Sequence, residues 1–471
     1  MSGVLVGVDS STQSCKVLVV DAHTGETMTS AIAPHPAGAI VDPSEWVKAL
    51  RRAWDGAGIP ARTDVLGVGV SGQQHGMVAV DAKGRPVHPA LLWNDLSSTE
   101  QARRMVEEVG VTAWMKAVNV LPLPAITLTK LAWLREVHPE AARQVHRVML
   151  PHDWLLLHLC GAFATDRSEA SGTGYFSAVT GQYRPDLLER WFKAVPELPR
   201  VLGPSEVAGF LRPEWSRSSR NIPVSAGTGD NAGAALGLDL APGEVVVSIG
   251  TSGTVFTRTE CPVIDASGIM AGFADATGQH LPLLCTLNAA RVLSSTAELL
   301  DVGLERFDAL ARSGSTDAGG LTMLPYFDGE RTPNLPNATG ELHGMTRGSL
   351  TPENLARAAV LAIANSVADC IDHLRGLAVP VERVLLIGGG AKSIALRSVL
   401  ADTFGLTVSV PEAREYVAIG AARQACWAAT GSLPDWQPAV EEVLERTGEA
   451  GVAAYRERYI RLRSALTNSA A

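Results

Sequence analysis

What the chain lacks narrows it first. Lysine and arginine number 40 against 49 aspartates and glutamates, a formal net charge of −9. Without a basic excess, nucleic acid is excluded as the main partner, because phosphate contacts need clustered Lys and Arg. A small anionic substrate stays open, since a local site can be positive on an acidic surface. The six cysteines (Cys15, Cys160, Cys261, Cys285, Cys370, Cys426) lie far apart, with no C-x-x-C pair. That spacing supports neither a disulfide framework nor a zinc site and predicts reduced thiols. No run of about 18 uninterrupted apolar residues occurs, so no membrane partner is expected. Met1 to Val8 carries no basic residue ahead of an apolar run, and Asp9 follows too soon for a signal peptide, so a cytoplasmic protein is expected. Low-complexity segments and long linkers are missing as well. So are the Rossmann glycine fingerprint and a P-loop ending in Gly-Lys-Ser/Thr, so a nucleotide site here must belong to another fold.

What is present reads as an ordinary globular chain, 46% hydrophobic and 19% charged. Its 471 residues are too many for one core and predict two large domains or three small ones. Strand and helix signals alternate, which predicts an α/β architecture. Val4 to Val8 and Lys16 to Val20 read as two strands of a hairpin, with Asp9, Ser11 and Thr12 at its tip. Glu244 to Ile249, Gly250-Thr251-Ser252-Gly253 and Thr254 to Phe256 echo that order in the second half. The small residues between Ala232 and Pro242 predict a boundary, giving domains 1–236 and 237–471. Val65 to Val70 and Arg383 to Ile387 read as buried strands, the latter broken by Gly388-Gly389-Gly390 ahead of a helix with Ile394, Leu396, Val399 and Leu400 as its apolar positions. Thr351 and Pro352 predict an N-cap and a first-turn proline. Leu355, Ala358, Ala359, Ala362, Ile363 and Val367 then mark one face of a long helix.

Three loops have the small residues that let backbone N–H groups approach a phosphate: Asp9-Ser10-Ser11-Thr12 with Lys16, Gly250 to Gly253, and Gly388 to Ser393. A triple glycine after a strand is equally a tight turn with no ligand. Three polar sets at strand ends suit sugar hydroxyls: Ser71 to Gly76, Trp93-Asn94-Asp95, and Gly227 to Asn231. Each has a plainer alternative: His75 as a loop histidine satisfied locally, Asp95 as a helix N-cap (a place Ser97 or Ser98 could fill as well), and Asp230 as the N-cap of the segment after it.

Taken in order, these segments resemble the FGGY carbohydrate kinases. Asp9-x-x-Thr12 with Lys16 is similar to the family's first phosphate motif, and Ser71-Gly72-Gln73-Gln74-His75-Gly76 to the sugar loop of its members that act on D-xylulose. Leu92-Trp93-Asn94-Asp95, Gly229-Asp230-Asn231, Gly250 to Gly253, Leu324-Pro325-Tyr326 with Gly329 to Pro333, and Gly388 to Ser393 follow in the family's order, so the likeness runs from about Val4 to Ala429. The resemblance implies a two-domain actin-like ATPase (ribonuclease H-like) fold with a central cleft, sugar mostly on the first domain and nucleotide on the second. It implies ATP-dependent phosphorylation of D-xylulose with Mg²⁺, small-molecule partners only and, by family alone, a homodimer. Asp230 is then the catalytic base, and Asp9 supports the metal–phosphate end. Gln74, His75, Trp93, Asn94, Asp230 and Asn231 surround the sugar. Ser11, Thr12, Lys16, Gly250, Thr251, Gly388, Gly389, Gly390, Lys392 and Ser393 hold the nucleotide. Two residues depart from the pattern: Ser11 stands where many members have glycine, and Gln74 where those acting on xylulose often have methionine. Gln74 therefore keeps ribulose, gluconate and glycerol as alternative substrates. A catalytically inactive sugar sensor and an actin-like ATPase with a protein partner are the rivals from other classes.

Overall fold

In the computed structural model, which describes residues 3–470, the first strand is Val4–Ser10. All seven of its residues are buried, as befits a strand covered on both faces. It pairs antiparallel with Ser14–Asp21, which pairs with the edge strand Thr27–Pro34, and parallel with Val65–Gly72. Pro223–Ser225 and Val207–Phe210 extend the sheet beyond Val65–Gly72, and Thr228–Gly229 pairs with that strand's end. The hairpin expected at the N-terminus is therefore present.

The two faces of this sheet are built differently, because alternate residues point opposite ways. Val6, Val8, Val68 and Val70 enter a core with Trp46, Leu50 and Trp54 of the helix Ser44–Gly56 and Leu155 of the helix Pro151–Cys160. On the other face stand Gly7 and Gly69, against the backbone of the helix Tyr416–Thr430. A Cβ at Gly7 would lie 2.0 Å from the Ala418 carbonyl oxygen, and one at Gly69 would lie 1.9 Å from that of Ala421. Only glycine allows that approach. The same helix lies on Asp230–Gly237, where Cβ atoms at Gly237 and Gly420 would meet the backbone oxygens of Tyr416 and Gly233 at 2.0 and 1.9 Å.

These contacts decide how the chain divides. One compact unit comprises residues 1–240, 259–282 and 414–437, and the other 241–258, 283–413 and 438–471. The segments interleave, so no single cut separates the two units. The small residues between Ala232 and Gly237 form a helix contact face, and residues 416–430 return to seal it.

In the second unit, five strands of a seven-stranded sheet run in the order Gly253–Thr257, Glu244–Ile249, Arg383–Ile387, Val408–Pro411, Val440–Leu444. Glu244–Ile249 and Arg383–Ile387 are parallel neighbours with the bounds expected from sequence. Thr351 caps the helix Pro352–Gly376, its hydroxyl accepting from Asn354 N. The expectation of one apolar face fails there: Asn354 and every residue from Ala356 to Ile371 are buried, and Leu355 only partly. The helix is hemmed in on several sides by Ala290–Leu299, Leu304–Ser313, Ile394–Phe404 and Ala450–Ala470, so it is a central core element. Its length and apolarity would suffice to cross a membrane, but 94% of its most apolar window is buried in protein.

Candidate functional site

Strand register assembles the first part of the site. Val4–Ser10 and Thr228–Gly229 both run parallel to Val65–Gly72, which sets Asp9 and Thr228 on either side of Ser71. The chain leaves all three strands at the same edge, the carboxyl end of parallel strands, where open α/β sheets bind ligands. The next residues are Ser11 and Thr12 on one loop, Gln73, Gln74 and His75 on a second, and Asp230 and Asn231 at the start of a helix.

Two carboxyls dominate the electrostatics. Burial pushes Asp9 up to about 6, against the opposing pull of a hydrogen bond from the Ser11 hydroxyl and the charge of Lys16. Burial likewise pushes Asp230 up to about 6, with the charge of Asp9 adding to the rise. Asp230 opens the helix Asp230–Gly237 as its first residue, and the cap position is Gly229, with no side-chain cap. The N-cap alternative for Asp230 is therefore not met, and the carboxylate is not consumed by capping. The hydrogen bonds it accepts, from Asn231 N at 2.8 Å and Asn231 Nδ2 at 2.9 Å, both fall on Oδ1.

The loops around them are tightly held. Ser11 O accepts from His35 Nδ1 at 3.0 Å and from Gln73 Nε2 at 3.5 Å. The Trp93 indole, 41% exposed, donates to Thr12 Oγ1 at 2.8 Å. Lys16 is paired with Glu415 at 2.6 Å on the surface. Gln74 is buried and donates to Ser168 O at 3.0 Å. His75 sits at φ +69°, its Nδ1 2.8 Å from Gly172 O and its ring 5.5 Å from that of Phe273. A carbonyl can only accept, so the proton of that bond is on Nδ1. Asn94 is exposed. Asp95 turns back on Ser97 N and Oγ and caps no helix. Beneath that loop lies Lys130, fully buried, whose ammonium donates to Pro124 O and Asp95 O; burial draws it down to about 8.

Two supports went unnoticed in the sequence. In the turn Asp166 to Ser168, the Ser168 hydroxyl donates to Asp166 Oδ2 and accepts from Gly229 N, the residue before Asp230. Asp-x-Ser ahead of a helix is an N-cap pattern, the one local signal available. Gln424 has none: its Oε1 accepts from Ser225 Oγ at 3.0 Å and Gly227 N at 2.8 Å, and its Nε2 donates to Gly227 O at 2.9 Å. Gln424→Ala leaves buried backbone groups unpaired, and we expect it to cost about 2–3 kcal/mol. A thermal melt unchanged from the wild type would contradict this.

The second unit repeats the arrangement with different residues. Ser248 stands beside Ile387 on parallel strands, so Gly250 and Thr251 leave next to Gly388. Gly388, at φ +88°, and Gly390 lie against Ile249, where Cβ atoms would come within 2.7 Å of its oxygen and 2.3 Å of its Cγ2. Thr251, Gly388, Gly389 and Lys392 are exposed. Gly250 N donates to Ser252 O. Ser393 caps the helix Ile394–Phe404 and donates to Asp308 at 2.6 Å.

Two models of the FGGY family of carbohydrate kinases match the chain, that of the N-terminal domain over residues 4–237 and that of the C-terminal domain over residues 245–429. The chain belongs to this family: it is a carbohydrate kinase with the family's two-domain α/β fold of actin-like ATPase type. It is 46% identical over 434 residues to the xylulose kinase of Streptomyces coelicolor, covering 91% of this chain and 88% of that protein. To the xylulose kinase of Escherichia coli it is 33% identical over 437 residues, 89% of each chain. The crystal structure of xylulose kinase from Bifidobacterium adolescentis is similar at a TM-score of 0.90 and 40% identity, over 97% of this chain and 99% of that one.

Proposed function

We propose that the chain transfers the γ-phosphoryl group of ATP to a hydroxyl of D-xylulose, giving D-xylulose 5-phosphate and ADP. The observation that carries the mechanism is the placement of Asp230, a partly shielded carboxylate at the sheet edge with a raised proton affinity. Asp230 takes the hydroxyl proton as the sugar oxygen bonds to the γ-phosphorus and the bond from that phosphorus to the β,γ-bridging oxygen breaks. Phosphoryl transfer through a loose transition state asks mainly for positioning and charge neutralisation.

Asp9 fits a magnesium ion. Among the described residues no cluster of three or more His, Cys, Asp and Glu could cage a metal, and magnesium in kinases is held by one or two carboxylates with phosphate oxygens and waters. When bound, the ion supplies positive charge to the phosphates. Gln74, His75, Trp93, Asn94 and Asn231 would hold the sugar. In the second unit the exposed backbone of Gly388 and Gly389, with Gly250, Thr251, Gly390, Lys392 and Ser393, is the nucleotide candidate. Ser11, Thr12 and Lys16 would serve its phosphates.

The names of the similar proteins support xylulose as the sugar. The test is ADP release in a coupled assay with ATP, magnesium and, in turn, D-xylulose, D-ribulose, L-ribulose, gluconate and glycerol. Selective turnover of D-xylulose is expected. Selective turnover of another sugar would move the substrate assignment to Gln74, and absence of sugar-stimulated turnover would overturn the proposal.

A further inference from the structure

The turn that opens the short helix Arg167–Ser171 reaches two sides of the proposed site at once. Ser168 is fully buried and all its polar groups are engaged. Its hydroxyl donates to Asp166 Oδ2 at 2.6 Å and accepts from Gly229 N at 2.9 Å, while its carbonyl accepts from Gln74 Nε2 at 3.0 Å. Asp166 is buried as well, and it accepts two further hydrogen bonds, from Ser168 N and Glu169 N, and so fixes the turn itself. A hydroxyl that donates to a carboxylate becomes a better acceptor, which strengthens its hold on Gly229 N.

Gly229 is the last residue before Asp230, so the orientation of its peptide sets where the carboxylate of Asp230 projects. No spare room exists there: a Cβ at Gly229 would lie 2.6 Å from Gln74 Nε2. The amide of Gln74 therefore packs on the same peptide that Ser168 holds. We propose that Ser168, oriented by Asp166, is a positioning residue that fixes Asp230 against the sugar and ties it to Gln74. This rests on the reading of Asp230 as the base.

The test is a double-mutant cycle read as kcat and as separate KM values for D-xylulose and ATP, with a thermal melt of each protein. Ser168→Ala is expected to lower kcat about 10–100-fold, the scale of a misplaced reacting group, and to raise the sugar KM. The ATP KM should stay within about twofold, since no nucleotide contact is touched. In the Asp230→Asn background, with no base left to position, the same change should lower kcat by less than about threefold. Asp166→Asn, which keeps the shape of the side chain, should reproduce the pattern and stands in if Ser168→Ala does not fold. Equal losses in both backgrounds, or an undiminished kcat in Ser168→Ala, would overturn the proposal. Failure of the underlying reading shows separately, as near-normal turnover of Asp230→Asn alone.

Discussion

Asp230→Asn is expected to lower kcat by about 10²–10⁴-fold while changing sugar affinity much less, because the amide keeps the shape but cannot take a proton. The wild-type enzyme should also lose kcat/KM on the acid side with a midpoint near 6, as Asp230 takes up a proton before the sugar binds. Activity that stays flat down to pH 5, or a variant with near-normal turnover, would remove Asp230 from the role. Stability should move the other way. The folded carboxyl titrates at about 6 against an ordinary 3.8, so between those values the folded state binds more protons than the unfolded one. Asp230 therefore costs stability above pH 6, and that cost fades as the pH falls toward 3.8. Asp230→Asn should accordingly melt roughly 2–5 °C higher than the wild type at pH 7. A crippled and hardier variant is the expected signature of a charge kept buried for its chemistry.

The second large effect is expected from Gly420→Ala. The added methyl would stand 1.9 Å from Gly233 O and 3.0 Å from Gly237 N, backbone atoms that cannot swing aside as a side chain would. The helix Asp230–Gly237 must shift, and Asp230 is its first residue. Such overpacking costs about 2–3 kcal/mol, which is roughly 3–6 °C in the melting temperature for a unit of this size. We expect kcat to fall with it, because the base moves with its helix. Gly376→Ala is the control: a Cβ there meets nothing within 4 Å, and its melt should match the wild type. Equal melting of both variants would refute the close-approach account.

Much of this was legible in the sequence because it is local. Apolar runs gave Glu244–Ile249 and Arg383–Ile387 to the residue, and Thr351-Pro352 marked a helix start by cap chemistry alone. The candidate loops stand out in the sequence because polar residues follow directly on buried strands. What escaped depends on partners distant in the chain. Ser168 meets Gly229 across 61 residues, and Gln424 meets Ser225 across 199, and neither side chain carries a local mark of that partner. The strand Thr27–Pro34 has mostly exposed residues, so no apolar run announces it. The packing role of the small residues near 232–237 was hidden for a related reason: glycine and alanine fit a domain boundary and a tight helix contact equally well, and only the partner helix reveals the contact.

That partner helix bears on how the protein is made. During synthesis the first 240 residues leave the ribosome well before residues 416–430 exist, and until then Gly7 and Gly69 sit on a sheet face with nothing against it. The first unit is finished only once residues 416–430 have emerged, long after its first 240 residues. A gene cut after Leu240 would encode a half-covered sheet, not a sugar-binding half enzyme.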